Sequence, residues 1–330
     1  MKIKLLTKIF AILITVLTLA LLFTQINLSD IILTLKNIDP IYIFTGFILY
    51  VVIYLFRAWR FKILLNNEVS IKDLFNIGCV HNMLNNLLPG RTGELSYIYL
   101  LKTEQNKTTG EGLATLLIAR IFDFIIISIF FLLFYLFIEN LITDFTILIE
   151  IGIVFLFFTV FLLFGLLFYG NSFLKKFKSI AHYFNFKKVR IGEFITKKSQ
   201  ETLESFEKFK TGKITMHIWV ITLSLGIWIL FYSLFYLIAI SMDIHIEPLL
   251  IFFASSFAVF STVLPIQGIG GFGTTEGGWA LGFVAVGVSG DVAINTGFGF
   301  HIIILLYTIS LGVFGYVNMY YVKKVKSMIT

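Results

Sequence analysis

The sequence predicts an all-α polytopic membrane protein with six full spans, two re-entrant or broken helical hairpins and an inverted repeat. Three observations predict this fold class. Of the 330 residues, 58% are apolar and only 14% are charged, which excludes an ordinary soluble domain. Apolar runs of about 18 or more residues recur, the length that a helix needs to cross the hydrocarbon core. Two shorter apolar runs end alike, in a Leu-Pro pair followed by a glycine-rich turn and a glutamate.

The full spans begin with an apolar run that follows three lysines near the N-terminus. A secretory signal peptide has the same appearance, but no small-residue cleavage site follows, so we predict an uncleaved first span. The six predicted spans are roughly residues 5–24, 41–62, 113–138, 147–169, 216–240 and 293–320.

Two pairs of shorter apolar segments lie between these spans, 74–88 with 94–101 and 249–264 with 277–289. A bilayer tolerates an interrupted helix only where protein or a water-filled cavity satisfies the freed backbone groups. We therefore predict two broken hairpins whose interruptions face such a cavity. The predicted hinge residues are Pro89, Gly93, Pro265, Gly270, Gly271 and Gly273.

Basic residues are concentrated in alternate connections. The stretch 170–215 holds 11 Lys and Arg against 4 Glu, whereas 139–150 and 241–248 contain acidic residues and no Lys or Arg. Since positive residues stay on the cytoplasmic side, we expect a multi-pass protein of the cell membrane with both termini in the cytoplasm.

The two hairpins occupy corresponding places in two halves of a single transmembrane domain, residues 1–138 and 139–330. Glu94 precedes Arg120 by 26 residues, and Glu276 precedes His301 by 25. Each half has three full spans, an odd number, so the halves enter the membrane from opposite sides. Inverted repeats with paired interruptions are typical of secondary transporters.

The stretch 171–213 is predicted to be a cytoplasmic basic amphipathic segment. Leu203, Phe206 and Phe209 recur at helical spacing beside several lysines. The pattern fits an amphipathic helix lying on the inner leaflet or an ordinary basic loop, and both remain open. Its charge suits anionic membrane lipids, and no pattern for nucleic-acid binding is present.

Five charged residues are predicted at or near membrane depth: Arg91, Glu94, Arg120, Asp123 and Glu276. Each costs roughly 2.5–3.5 kcal/mol at a helix centre on insertion scales, so they should pair or face a cavity. Arg120 and Asp123 are three residues apart and can pair directly on one helix face. The pair is either a structural lock or, with Arg91, part of a phosphate site, because the guanidinium fork binds two oxygens at once.

The remaining candidates are polar residues close to the interruptions. Asn86 precedes the first break, and His301 occupies the position that mirrors Arg120. Glu94 and Glu276 can cap half-helices, relay a proton or meet a cationic headgroup. Arg57 and Arg60, near the inner end of the second span, are expected to extend to the headgroups.

No catalytic motif, metal-ligand spacing or cofactor site is predicted. Gly268, Gly270 and Gly273 satisfy G-x-G-x-x-G, but they lie between apolar helices and lack the βαβ context of a dinucleotide site. Cys79 is the one cysteine, so the sequence holds neither a disulfide nor a cysteine-based metal site.

At these residues the chain resembles the membrane domain of the lysylphosphatidylglycerol synthase/flippase family (multiple peptide resistance factor). The resemblance rests on Leu-Leu-Pro89-Gly-Arg91-Thr-Gly93-Glu94, on Arg120-Ile-Phe-Asp123, and on Leu-Pro265 with Gly270-Gly271 and Glu276, and covers about residues 40–310. It implies a helical fold with re-entrant segments, movement of lipid between leaflets, and site positions at Arg91, Glu94, Arg120, Asp123 and Glu276.

The chain departs from the family pattern at two positions. Ala119 stands where an acidic residue often precedes the arginine, and His301 stands where an arginine is frequent; both affect the expected substrate. The sequence has no counterpart of the family's cytosolic aminoacyl-transfer domain. The resemblance therefore implies a stand-alone member that does not itself aminoacylate lipid.

Together these observations predict a flippase or transporter for a phosphate-bearing amphiphile: an aminoacylated phospholipid, a glycolipid or a polyprenyl phosphate. Two alternatives remain open. One is an intramembrane transferase acting on a lipid-linked substrate. The other is a non-transporting membrane partner of a separate lipid-modifying synthase. The sequence also leaves a homo-oligomer open.

Overall fold

The computed structural model describes residues 28–88, 91–138, 190–263 and 269–329, together with isolated positions between 150 and 169. Within these ranges every regular element is helical, as predicted. The helices are α1 (Leu28–Lys36), α2 (Pro40–Leu64), α3 (Ile71–Leu87), α4 (Glu94–Gln105), α5 (Thr109–Ile138), α6 (Arg190–Lys210), α7 (Ile214–Ser241), α8 (Pro248–Val263), α9 (Thr274–Ala285) and α10 (Gly290–Ile329). A 3₁₀ turn (Ile269–Gly271) precedes α9.

Four helices in the described part of the chain are long and apolar enough to cross a membrane. They are α2, α5, α7 and the Gly290–Tyr321 part of α10, and they match four of the predicted spans. The other two predicted spans, 5–24 and 147–169, lie wholly or largely outside the described residues. The start of α2 is fixed locally, because Asp39 accepts a hydrogen bond from the Ile41 amide at 2.9 Å and Pro40 occupies the first helical position.

Both predicted hairpins consist of short helices. With 17 and 16 residues, α3 and α8 are about 24–26 Å long, less than the roughly 30 Å of a bilayer core. The 12-residue helices α4 and α9 follow them. Pro89 and Pro265 themselves lie outside the described residues.

The glycines at the two interruptions have different roles. Gly270, Gly271 and Gly273 have φ of 69°, 76° and 86°, the left-handed region that glycine adopts without strain. Gly93 has an ordinary φ of −61°, and a Cβ there would lie 2.4 Å from the α3 backbone at Asn85. Gly93 does not need glycine's conformational freedom here; its missing side chain lets the two arms of the first hairpin approach. Its role as a hinge stays a prediction.

The helices pack in matching pairs across the chain. The central pair is α2 with α7. Around it, α3 packs on α10 and α8 packs on α5, while α1 contacts α10 and α6 contacts α5. The largest apolar core lies along the central pair and reaches α9 and α10; it includes Tyr50, Ile53, Ile227, Trp279 and Ile303.

The basic segment contains a helix, but its apolar face does not lie on the inner leaflet. Leu203, Phe206 and Phe209 of α6 are buried in a cluster that includes Ala114 and Ile118 of α5. The two helices touch closely, since a Cβ on Gly110 would come within 2.3 Å of Glu201. The amphipathic pattern thus reflects packing on the transmembrane bundle.

Candidate functional site

A cavity of about 160 Å³ lies inside the bundle, where the two hairpins meet the central helix pair. This space is enough for several water molecules or a small headgroup. Arg91, directly after the first interruption, and Thr275, directly after the second, both line it. Its other charged or titratable lining residues, apart from tyrosine, are Arg57, Arg60, His81, Arg120, Asp123 and His301.

Two of the predicted arginines share one carboxylate. Nη2 of Arg120 donates to Oε1 of Glu94 at 2.8 Å, and Nη1 of Arg91 lies 3.4 Å from the same oxygen. Glu94 is the first residue of α4; it contacts both guanidinium groups but does not itself line the cavity. In the described part of the chain, Nε of Arg91 is buried without a hydrogen-bond partner. This corner of the cavity therefore has more cationic donors than acceptors.

Asp123 pairs with Arg60 and not with Arg120. Nη1 and Nη2 of Arg60 donate to the two carboxylate oxygens of Asp123 at 2.6 and 3.2 Å. Nε1 of Trp228 donates to the same carboxylate at 3.0 Å, and Arg60 also donates to Ser224 at 2.8 Å. The predicted Arg120–Asp123 pair is therefore wrong, because the Arg120 guanidinium is engaged by Glu94 on another helix.

The expectation that Arg60 extends to the lipid headgroups is also wrong. Its side chain is 2% exposed, because the close packing of α2 on α7 and α5 turns it into the bundle. The ion pair joins α2, α5 and α7, and three protein donors already occupy its carboxylate. The structure favours the structural interpretation for Asp123.

The second interruption carries a matching buried pair. Nδ1 of His301 lies 2.6 Å from Oε1 of Glu276, and both side chains are below 5% exposed. The other oxygen of Glu276 accepts the Gly273 amide at 2.8 Å, which caps the start of α9. His301 lines the cavity, whereas Glu276 does not. The spacings of 26 and 25 residues thus each correspond to a direct contact.

A polar wall on α3 completes the cavity. Asn82 donates to the hydroxyl of Tyr50 at 3.0 Å, and that hydroxyl lies 2.6 Å from Oγ1 of Thr308. Asn86 donates to the carbonyl of Asn82 at 2.9 Å and lines the cavity as well. These contacts hold the α3 side chains against α2 and α10.

Arg57, which was also expected to extend to the headgroups, lines the cavity instead. Its guanidinium lies over the rings of Tyr54 and Phe231, 5.1 and 4.9 Å from their centroids, and donates to the Tyr54 hydroxyl at 3.2 Å. Among the described residues, no carboxylate lies within ion-pairing distance of it. Tyr50, Tyr54 and Arg57 are spaced four and three apart on one face of α2, a polar stripe on an otherwise apolar helix that could have identified it.

Four guanidinium groups line the cavity, an arrangement suited to an anion. Within the part of the chain that the structure describes, no group of three His, Cys, Asp or Glu residues could hold a metal. Guanidinium groups in a site of low polarity form strong, charge-assisted hydrogen bonds to phosphate oxygens.

The sequence matches a family of membrane proteins over most of its length. The family model described as "Lysylphosphatidylglycerol synthase TM region" matches residues 8–312. No solved structure matches the chain.

Two curated proteins show partial similarity. Glycosyltransferase AglD of Haloferax volcanii is 30% identical over 126 residues, which is 37% of this chain and 20% of that protein. UPF0104 membrane protein MJ1078 of Methanocaldococcus jannaschii is 27% identical over 186 residues, 56% of this chain and 71% of that protein. The chain thus spans only about a fifth of the glycosyltransferase.

Proposed function

The chain belongs to the lysylphosphatidylglycerol synthase transmembrane-region family, and on this premise we propose that it is a lipid flippase. It moves a phosphate-bearing amphiphile between the leaflets of the cell membrane. The headgroup passes through the cavity, and the acyl or prenyl chains stay in the surrounding lipid.

The observation that carries this proposal is the placement of Arg91 and Arg120. They line one cavity inside a bundle of membrane-spanning helices and share a single carboxylate. A charge at this depth costs roughly 2.5–3.5 kcal/mol, so an unbalanced positive charge there is stabilised by an anionic ligand. A lipid phosphate is the anion that a membrane supplies.

The transport mechanism rests on an inverted repeat of residues 1–138 and 139–330, with α1–α5 corresponding to α6–α10. Its support is the packing, in which the contacts of α3 with α10 and of α1 with α10 recur as those of α8 with α5 and of α6 with α5. The hairpins α3–α4 and α8–α9 are re-entrant in this proposal. They admit the headgroup from the cytoplasmic and the outer side in turn, as inverted repeats do in other transporters.

The test is headgroup movement in vesicles reconstituted with the full chain. A lipid phosphate monoester and a matching phosphodiester, each with a fluorescent label on an acyl chain, are added to one leaflet in separate samples, and the appearance of each in the other leaflet is followed. We expect Arg91→Ala and Arg120→Ala each to reduce the rate at least about tenfold, because each removes a charged hydrogen-bond donor. The control is Lys62→Ala, on α2 outside the cavity, with unchanged rate. Unchanged transport in both arginine variants would refute the proposed roles.

A second candidate is an intramembrane transferase acting on a lipid-linked sugar or phosphate. The observation that favours it is the 30% identity to a protein named as a glycosyltransferase. It predicts that a radiolabelled glycolipid changes chemically on incubation with the purified chain. Movement of chemically unaltered lipid would separate the flippase from this candidate.

A further inference from the structure

We propose that the cavity selects a lipid whose headgroup carries about two negative charges, either a phosphate monoester or a diphosphate. In this proposal Arg57 binds the second of these charges. This inference rests on the proposed function and narrows its substrate class. It also separates the ligand from aminoacylated phospholipids, which carry a phosphodiester and one or more ammonium groups.

The charges at the cavity do not balance. Four arginines line the cavity: Arg57, Arg60, Arg91 and Arg120. Within the described residues only two carboxylates pair with them, Asp123 with Arg60 and Glu94 with the Arg91–Arg120 corner. Two positive charges are left in excess. A phosphodiester would balance one of them, whereas a phosphate monoester carries about −1.5 to −2 at pH 7.

Aromatic rings hold Arg57 in place. A guanidinium has five N–H donors, and the hydrogen bond from Nη1 to Tyr54 uses one of them. The rings of Tyr54 and Phe231 attract the cation without accepting a hydrogen bond on their faces, which leaves its other donors available. Such a group is oriented for an acceptor that the described protein residues do not supply.

The two cationic positions belong to one site. Arg57 extends from α2 against α7, whereas Arg91 and Arg120 lie at the first interruption and on α5. All three arginines line the same cavity. A ligand with charge on more than one oxygen can therefore contact both walls.

The cavity disfavours cationic headgroups. Asp123 is the one acidic residue among the described lining residues, and three donors from Arg60 and Trp228 already occupy its carboxylate. An ammonium group in this cavity would meet four arginines and one carboxylate that protein donors already engage. Lipids with an aminoacyl headgroup are therefore disfavoured.

The experiment measures binding of dodecyl phosphate and its methyl ester to the full chain in detergent micelles by calorimetry at pH 7.5. The two probes share an alkyl chain and differ by about one negative charge. We expect the monoester to bind at least about tenfold more tightly than the methyl ester. Equal affinity, or tighter binding of a short-chain lysyl-phosphatidylglycerol than of the monoester, would overturn the proposal.

Variants of α2 assign the selectivity to Arg57. In Arg57→Gln the monoester affinity should fall about tenfold or more and the preference over the methyl ester should shrink to within about threefold. Arg57→Lys should keep the preference with weaker binding, since it retains the charge but loses the fork. Lys62→Gln, which removes a charge from the same helix outside the cavity, should change neither affinity. An equal loss for both probes in Arg57→Gln, or a lost preference in Arg57→Lys, would remove Arg57 from the site.

Two further measurements are needed. One distinguishes a lipid phosphate from free phosphate, and the other distinguishes failure of the selectivity from failure of the flippase. Inorganic phosphate should not displace dodecyl phosphate at tenfold excess; displacement at equal affinity would mean a site for free phosphate and overturn the lipid assignment. If vesicles move phosphodiester lipids as fast as monoesters, the selectivity fails while the flippase stands. If the chain binds monoester selectively but moves neither lipid, the flippase fails while the selectivity stands.

Discussion

The Arg60–Asp123 ion pair is almost removed from solvent, with side-chain exposures of 2% and 9%. Taking two charges out of water is costly. Here the cost is offset by a bidentate contact, by the Trp228 donor to Asp123 and by the Ser224 hydroxyl that accepts from Arg60. The net stabilisation from the pair is therefore smaller than the cost of leaving one of its charges buried and unpaired. It connects α2, α5 and α7 beside the cavity without offering a free charge to it.

We expect Asp123→Ala to destabilise the fold by about 3–5 kcal/mol, because Arg60 would be left buried and unpaired. The measurement is the thermal unfolding of purified protein in detergent. The double variant Arg60→Met/Asp123→Leu should recover much of the loss. Glu68→Ala provides a matched control, since the Glu68–Lys107 pair is more exposed and such pairs contribute about 0–1 kcal/mol. Similar losses in Asp123→Ala and Glu68→Ala would contradict this account.

The contacts of single residues were not predictable from the sequence. The mirrored spacings supported the repeat but did not predict that Glu94 contacts Arg120 and that Glu276 contacts His301. Nothing local indicated Arg60 with Asp123, because 63 residues separate them and the rotation of α2 decides the outcome. The site roles of these residues stay predictions.

At the scale of elements, the second hairpin depends on close contact between its two arms. A Cβ on Gly282 of α9 would lie 2.1 Å from the carbonyl oxygen of Ala254 on α8, and one on Gly278 would lie 2.7 Å from that of Phe257. Small residues four apart allow helices in a membrane to approach closely, where packing takes over from the hydrophobic effect.

We expect Gly282→Ala to destabilise the protein by about 1–3 kcal/mol, because the arms must separate to accept the methyl group. Gly277→Ala in the same helix faces open space and should be neutral or stabilising by up to about 1 kcal/mol. Thermal unfolding in detergent measures both. Equal effects of the two substitutions would show that α8 and α9 are not in such close contact.

Helix existence was predictable from apolar length, but the partner of an apolar face was not. The stripe of Leu203, Phe206 and Phe209 fits a lipid surface and a protein surface equally well. What decides between them is the glycine at position 110 of α5, which leaves room for α6. Helical periodicity shows that a helix has an apolar face, but it does not show which distant part of the chain covers that face.

At the scale of the whole molecule, the charge bias predicts which connections face the cytoplasm. Lys208 on α6 and His245 between α7 and α8 are both exposed and lie before and after the span formed by α7. Cys79 is buried, and Cys79→Ala gives a chain without cysteine.

In that background we expect His245→Cys to react with a membrane-impermeant maleimide in intact cells. Lys208→Cys should react only after permeabilisation, because the positive-inside rule places α6 in the cytoplasm. Gel-shift labelling of the two variants measures this. The reverse pattern would invert the whole topology, and with it the side from which each hairpin opens.

Glu94 connects two arginines of the cavity to the start of α4. An anion that settles between Arg91 and Arg120 competes with this carboxylate for the same N–H groups. Glu94 is the first residue of α4. Losing its hydrogen-bond partners would therefore change the contacts at the start of one arm of the first hairpin. In the proposed flippase, headgroup binding would therefore be linked to the start of α4 through this one side chain.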